Sequence, residues 1–512
     1  EVLGWQTHID DKTSSRIGKP PADYRASPRV RVEWDEATCT QLVFLYNELT
    51  TKMQGDVRGL FQLYGRKRDG DARESLRIAS IDVGGGTTDL MICTYAADRG
   101  EHIVPKQNFR EGFRTAGDEI LQEIIQTIVV PQLEEALQGA GVADPKALLR
   151  EVLGGNRGAQ GEPERHLRRQ FVAQILEPVG LAIIHAYEGV TDRHAGEILN
   201  STIGQLLAGR DTAAPAKYIE QQAARAGAAQ FRVAEVTLAT TARRVDAVVQ
   251  IVLGPTIADL CEVIYTFDCD WLLLSGRPSR LRAVGDMVLA KLPVPPHRIV
   301  GLHRYAAGAW YPFRDNAGRI KDPKTTAAVG AMLCAMAEGR LEGFLMQASA
   351  LGMKSTARFL GKMDLTGQIL AKNVCLNDPD RDLPSSAPDG EPPEIKFDLE
   401  FNAPMFLGFR QLPIERWPAS RLYLLEFGNP DNVPRLNLPL TLTIQRADNI
   451  PESAGSTKAP GPDSEEFREE FRIVQILDAE GHRQIETLVT MRLQTEQSEL
   501  GYWRDTGALL VP

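Results

Sequence analysis

The spacing of apolar residues changes several times along the chain, and each change marks an expected element. Leu76, Ile78 and Ile81 approach a glycine run at strand spacing, and Leu90-Met91-Ile92-Cys93 resumes the strand after it. The stretch therefore reads as a hairpin closed by Gly84-Gly85-Gly86. Upstream, Val30 to Trp34 reads as a short strand and Asp35 to Tyr46 as a buried helix with Asp35 as its N-cap. From Glu119 to Leu153 the residues Ile120, Ile124, Ile125, Ile128, Leu133 and Leu137 recur at helical spacing. A polar break at Gly154 to Glu164 and a second helix over Arg165 to Tyr187 follow. Helices are expected again from Val236 to Ile264. An apolar strand from Trp271 then runs through Ser275-Gly276-Arg277-Pro278-Ser279 into a helix containing Val284, Met287 and Leu289. The segment Asp322 to Leu333 reads as a helix whose Ala327, Gly330 and Ala331 form a small face.

After Leu360 the signals turn to β. Leu436, Leu438, Leu440, Leu442 and Ile444 alternate with polar residues, and Pro439 suggests an edge strand. Phe471 to Leu477 and Ile485 to Leu493 flank the turn-rich Asp478 to His482 and read as a hairpin. A Pro- and Asp-rich linker spans 376–393, and Ile450 to Glu465 is a flexible insertion rich in Ser, Gly and Pro.

The hairpin carries the chemistry. Three consecutive residues without Cβ let backbone N–H groups approach an anion and accept the positive φ of an anion nest. Asp82 can hold a hydrated Mg²⁺ or orient a water, and the Thr87 and Thr88 hydroxyls can bond phosphate oxygens. An ordinary hairpin turn needs only one or two glycines and gains nothing from acids at both ends.

Asp82 to Asp89 resembles the second phosphate motif, D-x-G-G-G-T-x-D, of the actin, heat-shock chaperone and sugar kinase ATPase superfamily. Further pieces follow in that superfamily's order. Glu36-Ala37-Thr38 is similar to the E-P-T-A helix start, which implies that Glu36 helps position metal-bound water. Gly117-Asp118 resembles the turn that opens the next helix, with Asp118 as its cap. Trp271 to Leu281 resembles the adenosine motif L-T-G-G-G-S-x-L, which implies nucleotide contact at Gly276, Arg277 and Ser279. Arg277 and Pro278 stand where the motif has its later glycines, so Arg277 either stacks on adenine, pairs with a phosphate or blocks the cleft. Asp322 to Leu333 looks like the second connecting helix. The superfamily's opening hairpin, D-x-G-T or D-x-G-S, has no counterpart before Trp34, and the chain is expected to be the C-terminal part of a longer protein.

Trp34 to Glu48, Asp82 to Leu90 and Arg304 to Phe313 resemble the virulence factor SrfB family. The implied fold is α/β: a ribonuclease H-like half of an actin or heat-shock chaperone ATPase with a helical insertion, plus a C-terminal β-rich domain. The expected division is 1–50 for the end of the first lobe with its connecting helix, 51–375 for the second lobe with an insertion at about 119–236, and 394–512 for the β-rich domain. The implied cofactors are ATP and Mg²⁺. Two functions fit: a chaperone-like switch acting on a protein partner, with weak ATPase activity in the full-length protein, or a pseudo-ATPase assembly subunit.

Composition narrows the partners. A net charge of −10 argues against nonspecific nucleic-acid binding. The six cysteines are scattered without CxxC spacing and read as reduced core thiols. The eight histidines form no HExxH motif. No apolar run stands out as long enough to span a membrane, so direct insertion is not expected. A cytoplasmic location is expected, with secretion into a host as the open alternative.

Overall fold

The computed structural model describes residues 34–68, 73–98, 100–154, 161–192, 196–351, 358–377, 395–417, 419–429, 433, 436–447, 470–493 and 503–511. The polar stretch 1–30, nearly all of the strand expected at Val30 to Trp34, most of the linker 376–393 and the insertion Ile450 to Glu465 lie outside the described residues. The chain divides into two compact units, one of residues 1–133, 177–208 and 234–354 and the other of residues 134–176, 209–233 and 355–512.

The first unit contains strands β1 (Arg66–Lys67), β2 (Glu74–Val83), β3 (Thr88–Asp98), β4 (His102–Phe113), β5 (Glu197–Thr202), β6 (Thr237–Thr241), β7 (Trp271–Ser275), β8 (Ile299–Gly301) and β9 (Leu345–Met346). Its helices include α1 (Glu36–Asn47), α2 (Val57–Tyr64), α3 (Gly117–Ile124), α4 (Glu177–Glu188), α5 (Ala242–Thr266), α6 (Arg282–Lys291) and α7 (Thr325–Met336). Among the described residues, seven strands form a mixed sheet in the order β8-β7-β2-β3-β4-β9, with β1 attached to β2. β2, β3 and β4 form an antiparallel meander, while β7 runs parallel to β2 and β8 parallel to β7. β2 is buried along nearly its whole length, as a central strand covered on both faces must be.

One face is covered by α1, α2 and α7, whose apolar side chains share a core with Leu76, Ile78, Met91, Cys93, Tyr95, Trp271 and Leu273. Asp35 caps α1 as expected, its side chain accepting from the Thr38 N–H at 2.6 Å. α1 and α7 touch backbone to backbone, for a Cβ on Gly330 would fall 2.1 Å from the Cys39 carbonyl oxygen. α1 also buries polar residues. Gln41 donates to Ser80 Oγ at 2.9 Å and to the Met91 carbonyl at 3.2 Å, and accepts from Tyr95 at 2.8 Å, so both ends of its buried amide are satisfied.

Two expectations change here. Thr237 to Thr241, placed by the sequence reading at the start of a helix, is strand β6 paired with β5. Its β-branched threonines suit an extended chain better than a helix interior. α5, which follows, is long and apolar enough by length and composition to cross a membrane, where the sequence reading found no such run. Its apolar face, including Val245, Val249, Leu253, Ile257, Leu260 and Ile264, is buried, and the helix packs on α3, α4, α6 and β6, as a core helix does.

In the second unit two antiparallel sheets share one apolar core. Among the described residues the larger has five strands in the order β11 (Val374–Asn377), β10 (Phe359–Lys362), β13 (Met405–Arg410), β14 (Ser420–Phe427) and β17 (Val489–Leu493). The smaller has three, with β15 (Leu440–Ala447) between β12 (Lys396–Phe401) and β16 (Glu470–Leu477). β15 is therefore central rather than an edge strand. Pro439 precedes its first residue and removes no ladder donor. The expected hairpin across Asp478 to His482 is also revised. The turn closes locally, Asp478 N–H donating to the His482 carbonyl at 3.0 Å, but β16 joins the small sheet and β17 pairs with β14. β10 and β11, in a stretch assigned from sequence to the second lobe and linker, pair with each other and β10 with β13. Helices Pro145–Leu153, Glu162–Phe171 and Ala213–Arg225 of the insertion belong to this same unit rather than to the sheet that carries the hairpin.

Candidate functional site

The register of the large mixed sheet assembles a row of side chains from four strands. Asp82 on β2 pairs with Asp89 on β3 and with Ser275 on β7, and Asp89 pairs in turn with Gly112 on β4. Residues directly opposite on neighbouring strands share a face. The row Gly112, Asp89, Asp82, Ser275 thus lines the carboxyl-terminal edge of β2 and β7. Gly112 makes space for it, since a Cβ there would stand 2.6 Å from Asp89 Oδ1.

Buried hydroxyls hold this edge to α1 and α7. Thr40 Oγ1 lies 3.3 Å from Ser275 Oγ and shares a hydrogen bond with Thr326 Oγ1 at 3.0 Å. Asp82 is 4% exposed. Burial pushes its carboxyl up to about 6, opposed by a hydrogen bond from Ser275 and by Lys324, and assisted by the charges of Glu36 and Asp89. Burial also raises Asp89, opposed by a hydrogen bond from Thr87 and by Arg110. Glu36 stands exposed at the first turn of α1, within electrostatic reach of both. Asp82 and Glu36 thus lie within electrostatic reach of each other, with Asp89 beside Asp82 in the ladder, and the structure adds Ser275 and Lys324, which the sequence reading did not place in the site. The final Asp of the glycine motif was a signal for Asp89, but nothing in the sequence pointed to Lys324.

The hairpin itself is fastened from behind. Gly84 N–H donates to the Thr87 carbonyl at 2.8 Å, and the carbonyls of Gly84 and Gly85 accept from the N–H groups of Gly117 and Asp118 at 3.1 and 2.7 Å. Asp118 is thus inside the first turn of α3 rather than its cap. The cap contact comes from Glu119, whose carboxylate accepts from the Ala116 N–H at 2.8 Å. None of Gly84, Gly85 and Gly86 has positive φ, contrary to the expectation of an anion nest; the ladder ends at Val83 and Thr88, and the four residues between them turn without left-handed backbone.

The three glycines differ in what they do for the fold. A Cβ on Gly84 would meet the Thr87 carbonyl at 2.9 Å; one on Gly85 would make ordinary contact with the Asp118 carboxylate at 3.7 Å; one on Gly86 would meet nothing within 4 Å. The fold therefore needs the first glycine and not the last two. Thr87 is exposed and donates to Asp89 Oδ2 at 3.0 Å, whereas Thr88 is buried and donates to the Thr115 carbonyl at 2.7 Å. Thr88 is committed to the fold.

The loop after β7 lies against the hairpin. Gly276 has φ +78°, and a Cβ on it would fall 2.0 Å from the Val83 carbonyl oxygen. Pro278 packs on Gly117, where an added Cβ would come within 2.9 Å of its ring. Ser279 is buried and donates back to the Gly276 carbonyl at 2.7 Å. Arg277 turns toward α4, its Nε 3.7 Å from Glu188 Oε1 and an Nη 3.4 Å from a ring nitrogen of His185. Three separate pieces of sequence, Gly84 to Thr87, Gly117 and Gly276 to Pro278, thus form one continuous surface.

Among the described residues no three His, Cys, Asp or Glu side chains converge as a direct metal site. The six cysteines are free thiols, five of them buried, in line with the reading as core residues.

These features define a mixed α/β protein with a glycine hairpin and a buried carboxylate at one edge of its sheet. The chain belongs to the SrfB family: the family model described as virulence factor SrfB matches residues 1–510. No curated protein matches it. Two of the segments that carried the family resemblance meet at the far end of α1, roughly 17 Å along the helix from Glu36. There Asn47 donates to Tyr305 Oη at 2.7 Å and accepts from Trp310 Nε1 at 2.8 Å, and Tyr305 donates to the buried Glu48 at 2.6 Å.

Proposed function

We propose that this protein binds ATP with Mg²⁺ at the β2–β3 hairpin and works as a nucleotide-dependent, chaperone-like switch on a protein partner, as a member of the actin, heat-shock chaperone and sugar kinase ATPase superfamily. The observation that carries this reading is the pair Gly85 and Gly86, side-chain-free, exposed and not required by packing, in the turn that follows the buried Asp82, whose carboxyl is raised to about 6. Glycine that a fold does not need is explained by close approach of another molecule to the backbone. In this reading the N–H groups of Gly85 and Gly86 bond phosphate oxygens, and the Thr87 hydroxyl turns from Asp89 to do the same. Asp82 orients a water and accepts its proton, with Glu36 beside it. Bound Mg²⁺ supplies charge neutralisation at the phosphates. With no converging set of direct ligands, it would be held through its own waters by Asp82.

A pseudo-ATPase assembly subunit is the second reading, and the loop after β7 favours it. Gly276, Pro278 and Ser279 all have partners within the protein, and Arg277 has Glu188. Calorimetric titration of the full-length protein with Mg-ATP, beside Gly86→Ala, tests the first reading. Binding that weakens at least tenfold in the variant, at unchanged melting temperature, supports the phosphate hairpin. Equal affinity, or no binding by either protein, overturns it. Binding without phosphate release over hours selects the pseudo-ATPase.

A further inference from the structure

The second unit carries a surface that the nucleotide reading leaves unused. Helices Pro145–Leu153 and Glu162–Phe171 hold the end of the described chain, Trp503 to Val511. Trp503 and Leu509 are 6% and 2% exposed. Leu509 N–H donates to the Leu153 carbonyl at 2.8 Å, and Arg150 Nε donates to the Val511 carbonyl at 3.4 Å. Arg168, itself buried, donates from Nε to the Thr506 carbonyl at 3.2 Å and from Nη1 to the Gly154 carbonyl at 2.9 Å, so one guanidinium joins the segment to the end of a helix. Gly507 has φ +63°, and a Cβ on it would stand 2.9 Å from Arg169 Cα. Only glycine fits that position on both counts.

The segment pairs with no strand of either sheet. Its contacts are those by which a folded surface reads a peptide: arginines and a main-chain carbonyl grip the backbone whatever the sequence, while apolar anchors and one close-approach glycine impose a pattern. We propose that this face of the helical insertion is a peptide-docking groove, and that Trp503 to Val511 is its exchangeable ligand, held in cis. The recognised pattern is an aromatic residue, a glycine four positions later and a leucine two beyond that. The proposal is independent of nucleotide binding.

The test cuts the folded full chain. A specific protease site inserted between residues 494 and 502 lets the segment be severed after folding, so the groove is never required to fold without it. A fluorescein-labelled peptide of residues 503–511 is then added. Expected is saturable uptake by the cleaved protein, at least tenfold weaker uptake by the uncleaved one, and at least tenfold weaker binding of a peptide carrying Gly507→Val. No uptake by the cleaved protein, or equal binding of the Gly507→Val peptide, overturns the groove. Concentration-dependent dimers of the uncut chain that vanish on cleavage overturn the cis arrangement and assign the ligand to a second copy.

Discussion

Two glycine-containing loops lie side by side at the end of the large sheet, and they use glycine for opposite reasons. At Gly276 the left-handed backbone and the 2.0 Å approach of a hypothetical Cβ to the Val83 carbonyl make glycine a condition of folding. At Gly86 a Cβ would meet nothing, φ is not positive, and the residue is exposed. The loop that resembles an adenosine motif is thus explained by packing alone. The hairpin that resembles a phosphate motif is not.

Substitution separates the two cases. Gly276→Ala should be the most damaging single change, costing about 3 kcal/mol or more, because strain at positive φ adds to a clash with backbone that cannot rotate away. Urea unfolding of the variant measures it, and a loss below about 1 kcal/mol would remove the contrast with the hairpin.

Asp82→Asn should come next, and its sign depends on pH. Asp82 is raised from an ordinary 3.8 to about 6 in the folded state, so the folded protein holds this proton more tightly than the unfolded chain. Stability therefore falls as pH rises from about 4 through about 6. Each tenfold gain in proton affinity on folding corresponds to about 1.4 kcal/mol, so removing the ionisable group should stabilise the protein by about 2–3 kcal/mol at pH 7 and by little below pH 4. Denaturation series of both proteins at pH 4 and pH 7 check this; a pH-independent difference would mean that Asp82 is not desolvated. If the hairpin binds and hydrolyses ATP, the same change should abolish hydrolysis while leaving most of the ATP affinity, since the glycines remain.

Gly86→Ala should leave unfolding free energy within about 0.5 kcal/mol of the parent. If the hairpin holds phosphate, ATP affinity should fall about tenfold, roughly 1.4 kcal/mol. Arg277→Ala should do least. Arg277 is half-exposed and the more buried Glu188 keeps Arg280 as a partner, so the expected loss is under about 1 kcal/mol in stability, with no change in ATP affinity. A clear loss of affinity would mean that Arg277 swings from Glu188 to the nucleotide.

Much of the site was legible because it is local. The hairpin, the capped start of α1, the strand before Gly276 and the small face of α7 each follow from a few adjacent residues and the period of their apolar neighbours. The misreadings were non-local. Leu477 and Val489 flank a good turn, yet their strands part into different sheets because each finds its partner elsewhere in the chain. Thr237 to Thr241 became a strand only because Glu197 to Thr202 offered an edge to pair with. Trp503 and Leu509 carried no periodic signal, since a segment docked on helices needs anchors rather than a repeat.

The sequence alone determined the chemistry available: a glycine run bounded by two aspartates, an acid at a helix start and small residues where two helices must cross. Tertiary structure decided how each residue is used. Register set Asp82 between Asp89 and Ser275, burial raised its carboxyl, and the close fit of Gly276 against Val83 committed one glycine to packing while Gly86 stayed open. The physical reason is that backbone conformation and periodicity are properties of neighbours in sequence. Desolvation and steric access depend on which distant segments fill the space around a group.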